Sequence, residues 1–139
     1  MKEKYSFYKN KDVLITGGLG FIGSNLAIAL VNLGANVELV DALIPAYGGN
    51  LFNIKSIEEK VKWEKGDIRE TKKVDSWVRD KNIIFNLAGT LSHIDSMTDP
   101  MTDLEINCRA QLSLLESVRK YNPKACIVFA GTRNQYGKA

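Results

Sequence analysis

Residues 12–23 read DVLITGGLGFIG, and this stretch decides the fold. The β-branched apolar run Asp12–Thr16 predicts a buried strand, and the two glycines that follow it predict a turn. The next run, Phe21–Leu33, is apolar nearly all round, which predicts a helix packed on a sheet with Gly34 as its C-terminal stop. A strand, a glycine-rich turn and a helix in this order begin a βαβ unit.

The glycines of this turn have a spacing with chemical meaning. They form Gly18-x-Gly20-x-x-Gly23 and also Gly17-x-x-Gly20-x-x-Gly23. Such glycines allow a tight turn, the close approach of a backbone to a pyrophosphate, and close contact between helix and sheet. The helix directs its unpaired N–H groups and its positive dipole end at the phosphates. A glycine-rich turn without a ligand is the alternative, and the strand-turn-helix context favours dinucleotide binding.

A carboxylate ends each of the next two predicted strands. Asp41 closes the second strand, Asn36–Asp41, and is expected to accept hydrogen bonds from both hydroxyls of an adenosine ribose. A carboxylate there would repel a 2′-phosphate, so NAD is favoured over NADP. The alternative for Asp41 is an ordinary turn residue. Asp67 ends the third strand, where solvated turn chemistry and adenine contact remain equal alternatives.

The remaining segments continue the alternation of strands and helices. They are a loop over 45–50, a weakly periodic short helix over 51–60, strands over 61–68, 82–88 and 125–130, and helices over 70–80 and 100–121. Strands separated by helices predict parallel pairing through right-handed crossovers. We therefore predict a doubly wound α/β domain over residues 12–139, with five parallel strands in the order 3-2-1-4-5 and an N-terminal extension over residues 1–11.

The long helix carries one apolar stripe, which Leu114 and Val118 widen. The stripe consists of Leu104, Cys108, Leu112 and Leu115. Two cysteines are too few for a disulfide scaffold, and we interpret Cys108 and Cys126 as core thiols of a helix and a strand. The single histidine, His93, argues against a zinc site, so no metal is predicted.

Composition excludes several classes of protein. The chain has 139 residues, a net charge of +3, 45% hydrophobic residues and 25% charged residues, as is typical of one globular domain. The basic residues are interspersed with acids, which gives no footprint for nucleic acid or a membrane surface. No signal peptide or spanning run is present, so a cytoplasmic protein is expected.

In this order, these motifs resemble the extended short-chain dehydrogenase/reductases, in the branch of NAD-dependent nucleotide-sugar epimerases and dehydratases. The resemblance runs from Asp12 to Gly137. It rests on the Gly17–Gly23 loop, Asp41, Gly66-Asp67-Ile68, Asn86-Leu87-Ala88-Gly89, Asn107, Phe129-Ala130-Gly131-Thr132 and Tyr136-Gly137.

The resemblance implies a Rossmann fold and a set of cofactor contacts. It implies that Phe21 and Ile22 lie against the pyrophosphate turn formed by Gly17, Gly20 and Gly23, with Asp41 on the ribose. It further implies that Asp67 and Ile68 frame the adenine, and that Leu87, Ala88 and Gly89 line the path of the nicotinamide ribose. Asn107 would brace the active site; by its position it falls beside Leu114 and Val118 on the apolar side of the helix, although an exposed helix residue is the alternative.

Thr132 matches the catalytic Ser or Thr of the family, whose hydroxyl hydrogen-bonds the reacting sugar oxygen; a turn hydroxyl is the alternative. The family's Tyr-x-x-x-Lys pair lies downstream of the catalytic Ser or Thr, and no such pair follows Thr132 in this sequence; Tyr136 matches a structural tyrosine instead. We therefore expect the NAD-binding portion of an enzyme that acts on a nucleotide sugar, inactive by itself. A non-catalytic dinucleotide-sensing module and a structural partner of another chain remain alternatives.

The family's catalytic helix, which packs beside the long helix and mediates dimers, is also not present in these residues. We therefore expect β-strand five to form an uncovered edge, the 100–121 helix to expose an apolar face, and the chain to self-associate.

Overall fold

The computed structural model describes residues 3–90, 92–132 and 136–137. Its core is a parallel sheet with the strand order β3-β2-β1-β4-β5, which confirms the prediction. In the central register, Ile15 of β1 lies between Leu39 of β2 and Phe85 of β4. The strands are β1 (Asp12–Thr16), β2 (Asn36–Asp41), β3 (Lys62–Lys65), β4 (Ile83–Asn86) and β5 (Cys126–Phe129).

Helices connect the strands. They are α1 (Phe21–Asn32), α2 (Thr71–Trp77), α3 (His93–Thr98), α4 (Pro100–Leu104) and α5 (Ala110–Tyr121). A π-helical turn, Glu105–Arg109, joins α4 to α5 within the long helix, and 3-10 turns span Glu3–Tyr8, Pro45–Tyr47, Leu51–Ile54 and Glu58–Lys60. The short helix predicted over 51–60 is therefore wrong, because two separate 3-10 turns form there, and β3 is shorter than the predicted 61–68.

The central strands β1 and β4 are buried on both faces of the sheet, and alternate side chains of each strand point to opposite faces. On one face, Val13 and Ile15 pack with Ala27 and Leu30 of α1. On the other face, Leu14 packs with residues of α2 and α5, which are Val74, Trp77, Leu114 and Val118. Val74, Trp77 and Val78 of the predicted 70–80 helix are all buried, as their spacing predicts.

The long helix buries a face other than the stripe that the sequence shows. Its buried residues are Ile106, Ala110, Gln111, Leu114, Ser117 and Val118. The stripe residues Leu104, Leu112 and Leu115 are 49%, 61% and 48% exposed. The exposed apolar face expected for this helix is therefore present.

The interpretation of the cysteines as core thiols is wrong, since both Cys108 and Cys126 are exposed. Cys108 lies in the π turn on the same exposed stripe. Cys126 lies on β5, which has no further strand on its outer side among the described residues. Its neighbours Val128 and Phe129 are exposed as well, so the predicted uncovered edge is also found.

The N-terminal segment contacts the sheet domain. The ring of Tyr8 packs against the α1-side core, and the Asn10 N–H donates to the Gly34 carbonyl at 2.8 Å. No helix among the described residues is both long and apolar enough to cross a lipid bilayer.

Candidate functional site

One cleft of about 820 Å³ lies at the carboxyl ends of the strands. In open parallel sheets, ligands bind in this crevice where the strand order reverses, which here is between β1 and β4. Every site residue predicted from the sequence lines this cleft: Gly17, Gly20, Phe21, Ile22, Gly23, Asp41, Asp67, Ile68, Leu87, Ala88, Gly89, Asn107 and Thr132.

The glycine loop has the close contacts that its spacing predicts. Gly17 has a φ of +66°, in the left-handed region that side chains disfavour. A Cβ on Gly23 would lie 2.3 Å from the Gly17 carbonyl oxygen, so any side chain there would collide with the backbone of the turn. A Cβ on Gly20 would meet its nearest neighbour at 3.4 Å, an ordinary contact. Gly23 is therefore needed for the turn itself, whereas Gly20 leaves the backbone open to the cleft.

The N-terminus of α1 faces this opening without a side-chain cap. Gly20 is the N-cap residue and makes no side-chain cap hydrogen bond. Phe21 and Ile22, the first two helical residues, are 83% and 64% exposed. Since the first-turn N–H groups of a helix lack intrahelical partners, this end can bind an anion.

The Asp41 carboxylate holds two loops together. Its Oδ2 accepts a hydrogen bond from the Leu19 N–H at 3.0 Å, and its Oδ1 accepts one from the Leu43 N–H at 2.8 Å. Gly49 packs closely against it, because a Cβ there would lie 2.7 Å from Oδ1. Asp41 therefore fixes the glycine loop relative to the loop that follows β2, and it presents negative charge to the cleft.

Asp67 forms an ion pair with Arg69. The Arg69 Nη2 lies 2.6 Å from Oδ2 of Asp67, and the Arg69 backbone N–H donates to Oδ1 at 2.9 Å. Burial acts to raise the pKa of Asp67, but the hydrogen bonds and charge of Arg69 outweigh it and hold this pKa below its usual value. The hydrogen bond that the Arg69 guanidinium donates to Asp67 in turn raises the pKa of Arg69. Asp67 therefore combines turn chemistry with a position in the cleft.

A buried polar network supports the cleft wall at Leu87–Gly89. The Thr16 hydroxyl donates to Asn86 Oδ1 at 2.8 Å and accepts from the N–H groups of Leu87 and Ala88, each at 3.2 Å. Asn86 Nδ2 donates to Gln111 Oε1. Gln111 Nε2 donates to the carbonyls of Ala88 and Ile106, each at 3.0 Å. The network joins the ends of β1 and β4 to the π turn, so the wall is held at both strands.

Asn107 holds the outer end of the same wall. Its Oδ1 accepts from the Thr90 N–H at 2.9 Å, and its Nδ2 donates to Asp103 Oδ1 at 2.7 Å. The prediction that Asn107 falls on the apolar side of the helix is wrong, because Asn107 is exposed at the cleft while Leu114 and Val118 are buried. The π turn between them changes the helical phase, which explains the error.

Thr132 lies in the cleft beside Phe129, Ala130 and Gly131, where β5 ends. Tyr136 is 82% exposed and is not among the cleft residues. Residues 133–135, which separate the two, lie outside the described part of the chain.

Sequence reasoning missed several cleft residues and their supports: Thr16, Tyr47, Thr90, Ile106 and Gln111. Thr16 and Gln111 act through partners 70 and 25 residues away in the chain, a relation that no local pattern contains. Tyr47 follows a proline in a segment that predicts only a loop. Only Gln111 had a signal in the sequence: it is a polar residue on the apolar side of the long helix. A buried amide requires hydrogen-bond partners, so this position indicates a supporting role.

The cleft is suited to a dinucleotide. Its charged lining residues are the two carboxylates of Asp41 and Asp67, and no lysine or arginine side chain is among the described lining. A pyrophosphate in this cleft would be bound by backbone N–H groups and the dipole of α1, which the open approach at Gly20 permits.

Comparison with known proteins gives one consistent result. Residues 14–139 match the family model described as GDP-mannose 4,6 dehydratase. The chain is 34% identical over 129 residues to CDP-paratose 2-epimerase of Salmonella typhi, a match that covers 90% of this chain and 38% of the relative.

Solved structures agree. The epimerase Mth375 of Methanothermobacter thermautotrophicus superposes with a TM-score of 0.84 and 28% identity, over 95% of this chain and 38% of that one. The Bordetella bronchiseptica enzyme WbmF, in complex with NAD+, gives a TM-score of 0.80 and 26% identity, over 92% and 38%. WbmF has also been crystallised with NAD+ and UDP.

The chain thus spans 38% of the length of each of these three proteins. Within that span the fold and the family match agree with the ordered motifs from the glycine loop to Thr132. The chain therefore belongs to the family of NAD-dependent nucleotide-sugar epimerases and dehydratases.

Proposed function

We propose that this chain binds NAD in the cleft at the carboxyl ends of its strands. The observation that carries the proposal is the uncapped N-terminus of α1, which opens into the cleft beside Gly20 and within reach of Asp41. Helix N–H groups would bind the pyrophosphate, and the Asp41 carboxylate would accept from a ribose hydroxyl through its remaining lone pairs.

The strand order supports one direction for the bound dinucleotide. With the pyrophosphate at β1, the adenosine half lies over β2 and β3, near Asp41, Asp67 and Ile68. The nicotinamide half then lies over β4 and β5, along Leu87–Gly89 and towards Thr132. Asn107 and the Thr16 network hold this second wall in place and do not need to contact the cofactor.

Calorimetric titration with NAD and NADP tests the proposal. We expect NAD to bind at least about tenfold more tightly than NADP, because the Asp41 carboxylate opposes a 2′-phosphate and the described lining supplies no cation to offset it. The Asp41→Asn variant should have a smaller difference between its affinities for NAD and NADP. Absence of NAD binding, or tighter binding of NADP, would overturn the proposal.

We further propose that the complete enzyme isomerises or dehydrates a nucleotide sugar. NAD, when bound, supplies the acceptor for a hydride from the sugar. Within this chain the Thr132 hydroxyl would hydrogen-bond the reacting sugar oxygen at the β4–β5 end of the cleft. No Tyr-x-x-x-Lys pair follows Thr132 in the 139 residues, so we expect these residues alone to form no epimerised or dehydrated product from UDP-glucose in the presence of NAD. Measurable turnover would contradict this assignment.

We also propose that the chain self-associates through the exposed apolar face of the long helix. Met101, Leu104, Leu112 and Leu115 are each about half exposed or more. Contiguous apolar surface of this kind on a soluble chain marks an interaction site.

A further inference from the structure

Tyr47 lines the cleft, but it belongs to none of the sequence motifs described above. Three aromatic side chains line the described part of the cleft: Phe21, Tyr47 and Phe129. Phe21 begins α1, and Phe129 ends β5 on the far side of β1 from Asp41. Tyr47 follows β2, so it is the aromatic side chain on the adenosine side of the cleft.

The ring of Tyr47 packs against the apolar floor on that side. This floor consists of Ile68, Ile106 and Ala110, with Ala88 at its margin. Ile68 follows β3, and Ile106 lies in the π turn, so Tyr47 crosses the mouth of the cleft from the β2 loop to reach them. Tyr47 and the floor residues Ile68 and Ile106 also line the cleft, so a flat ligand that enters on this side would meet both the ring and the apolar floor.

The loop that carries Tyr47 is fixed at both ends. At its start, the Leu43 N–H donates to Asp41, and Leu43 has a φ of +52°. At its end, Gly48 adopts the left-handed conformation, with a φ of 77°, and the Asn50 N–H donates to the Leu19 carbonyl at 3.1 Å. The first of these hydrogen bonds ends on Asp41, and the second ends on Leu19 of the glycine loop. The backbone of the loop is therefore set relative to the groups that would bind the pyrophosphate and the ribose, while the Tyr47 ring can still turn about its side-chain bonds.

We propose that Tyr47 is an adenine-binding residue, whose ring stacks on the adenine of the dinucleotide and sandwiches it against Ile68 and Ile106. The inference rests on the proposed binding of NAD and adds a residue to that site. An adenine between ring and floor requires the two to separate by one ring thickness, about 3.5 Å. Stacking of a base on an aromatic ring contributes enough for about a tenfold change in affinity.

The test is calorimetric titration of the whole chain with NAD and with ADP, which carries the adenosine half without the nicotinamide half. Tyr47→Ala should weaken the binding of both ligands by a similar factor of about tenfold. Tyr47→Phe keeps the ring and should bind both within about twofold of the unchanged chain. Phe52→Ala is the matched control, because Phe52 is an aromatic residue of the next turn that is 73% exposed and outside the cleft.

A spectroscopic readout separates stacking from a merely structural role. In Tyr47→Trp, saturating ADP should quench tryptophan emission more than it does in the unchanged chain, which contains Trp63 and Trp77. Two results would overturn the inference: equal affinity of Tyr47→Ala and the unchanged chain, or a lower affinity of the variant for NAD without a lower affinity for ADP. In both cases the proposal that the unchanged chain binds NAD would stand. An unchanged chain that binds neither ligand would instead overturn the proposed function, and this inference with it.

Discussion

At the scale of single residues, two glycines of the same loop should respond differently to the same change. Gly23→Ala places a Cβ 2.3 Å from the Gly17 oxygen and 2.8 Å from the Gly18 Cα, both backbone atoms. We expect a loss of about 1–3 kcal/mol in the free energy of unfolding, as for other overpacked sites. Gly20→Ala meets only an ordinary contact, so it should cost under about 1 kcal/mol.

The two variants should nevertheless both bind NAD poorly. In Gly20→Ala the methyl group occupies the open approach to the cleft, and in Gly23→Ala the turn itself is displaced. Urea denaturation measures stability, and calorimetry measures affinity. Equal stability of the two variants would contradict the different roles assigned to these glycines.

A second residue-scale prediction concerns the pH dependence that the Asp67–Arg69 pair confers. A carboxyl group with a lowered pKa in the folded state adds stability above its unfolded pKa, near 3.9, and loses it as the pH falls through the folded pKa. Arg69→Gln should therefore be less stable than the unchanged chain at neutral pH, by under about 1 kcal/mol for so exposed a pair.

This difference should shrink as the pH falls below about 4. Denaturation midpoints measured across this range test the sign of the effect. A difference that grew towards acid pH would show that Asp67 is not the group responsible.

The residues that sequence reasoning found share a property: each has a local chemical signature. Glycines at a fixed spacing after a strand indicate close backbone contact, and Asp41 indicates a charge at a strand end. Thr16 and Gln111 have no such signature, because their roles depend on Asn86 and Ala88, which only the folded sheet brings near them. Local chemistry was therefore predictable, and long-range hydrogen bonding was not.

At the scale of elements, the π turn explains the error in the long helix. The helix begins at Pro100, as predicted, and Asp99 caps it, since its Oδ1 accepts from the Thr102 N–H at 3.1 Å. The extra residue of the π turn, Glu105–Arg109, then shifts the helical phase. A regular 3.6-residue period cannot anticipate this shift, so Asn107 was assigned to the wrong face.

The Gln111 side chain should stabilise this turn. Gln111→Leu leaves Asn86 Nδ2 and the Ala88 carbonyl without their partner and removes the side-chain hydrogen bond to Ile106. We expect a loss of about 1–3 kcal/mol per buried group left unpaired, measured by urea denaturation. Ser113→Ala, on the same helix but bonded at its surface to Thr71, should change stability by under about 0.5 kcal/mol. Similar losses in the two variants would contradict a special role for Gln111.

At the scale of the whole molecule, the alternation of strands and helices was sufficient to predict the sheet. Parallel strands need right-handed crossovers, and a Gly-rich first turn places the ligand at the point where the order reverses. The division into an extension over residues 1–11 and a domain over residues 12–139 stays a prediction, and the contacts of Tyr8 and Asn10 show only that the two segments touch.

The last prediction concerns the surface that this fold leaves apolar. Leu112 and Leu115 lie on the exposed stripe of the long helix, at 61% and 48% exposure, so two copies could bury them against each other. The doubly substituted Leu112→Glu, Leu115→Glu chain should remain monomeric in light scattering at concentrations where the unchanged chain associates. Phe52→Glu changes an exposed apolar residue in the 3-10 turn that packs on α1, the opposite side of the sheet, and should have no such effect.

Because the contact is apolar, added salt should not weaken the association of the unchanged chain. A clean monomer at high concentration for the unchanged chain would contradict self-association, and association that persists in the doubly substituted chain would assign it to another surface, with the uncovered edge of β5 the next to test.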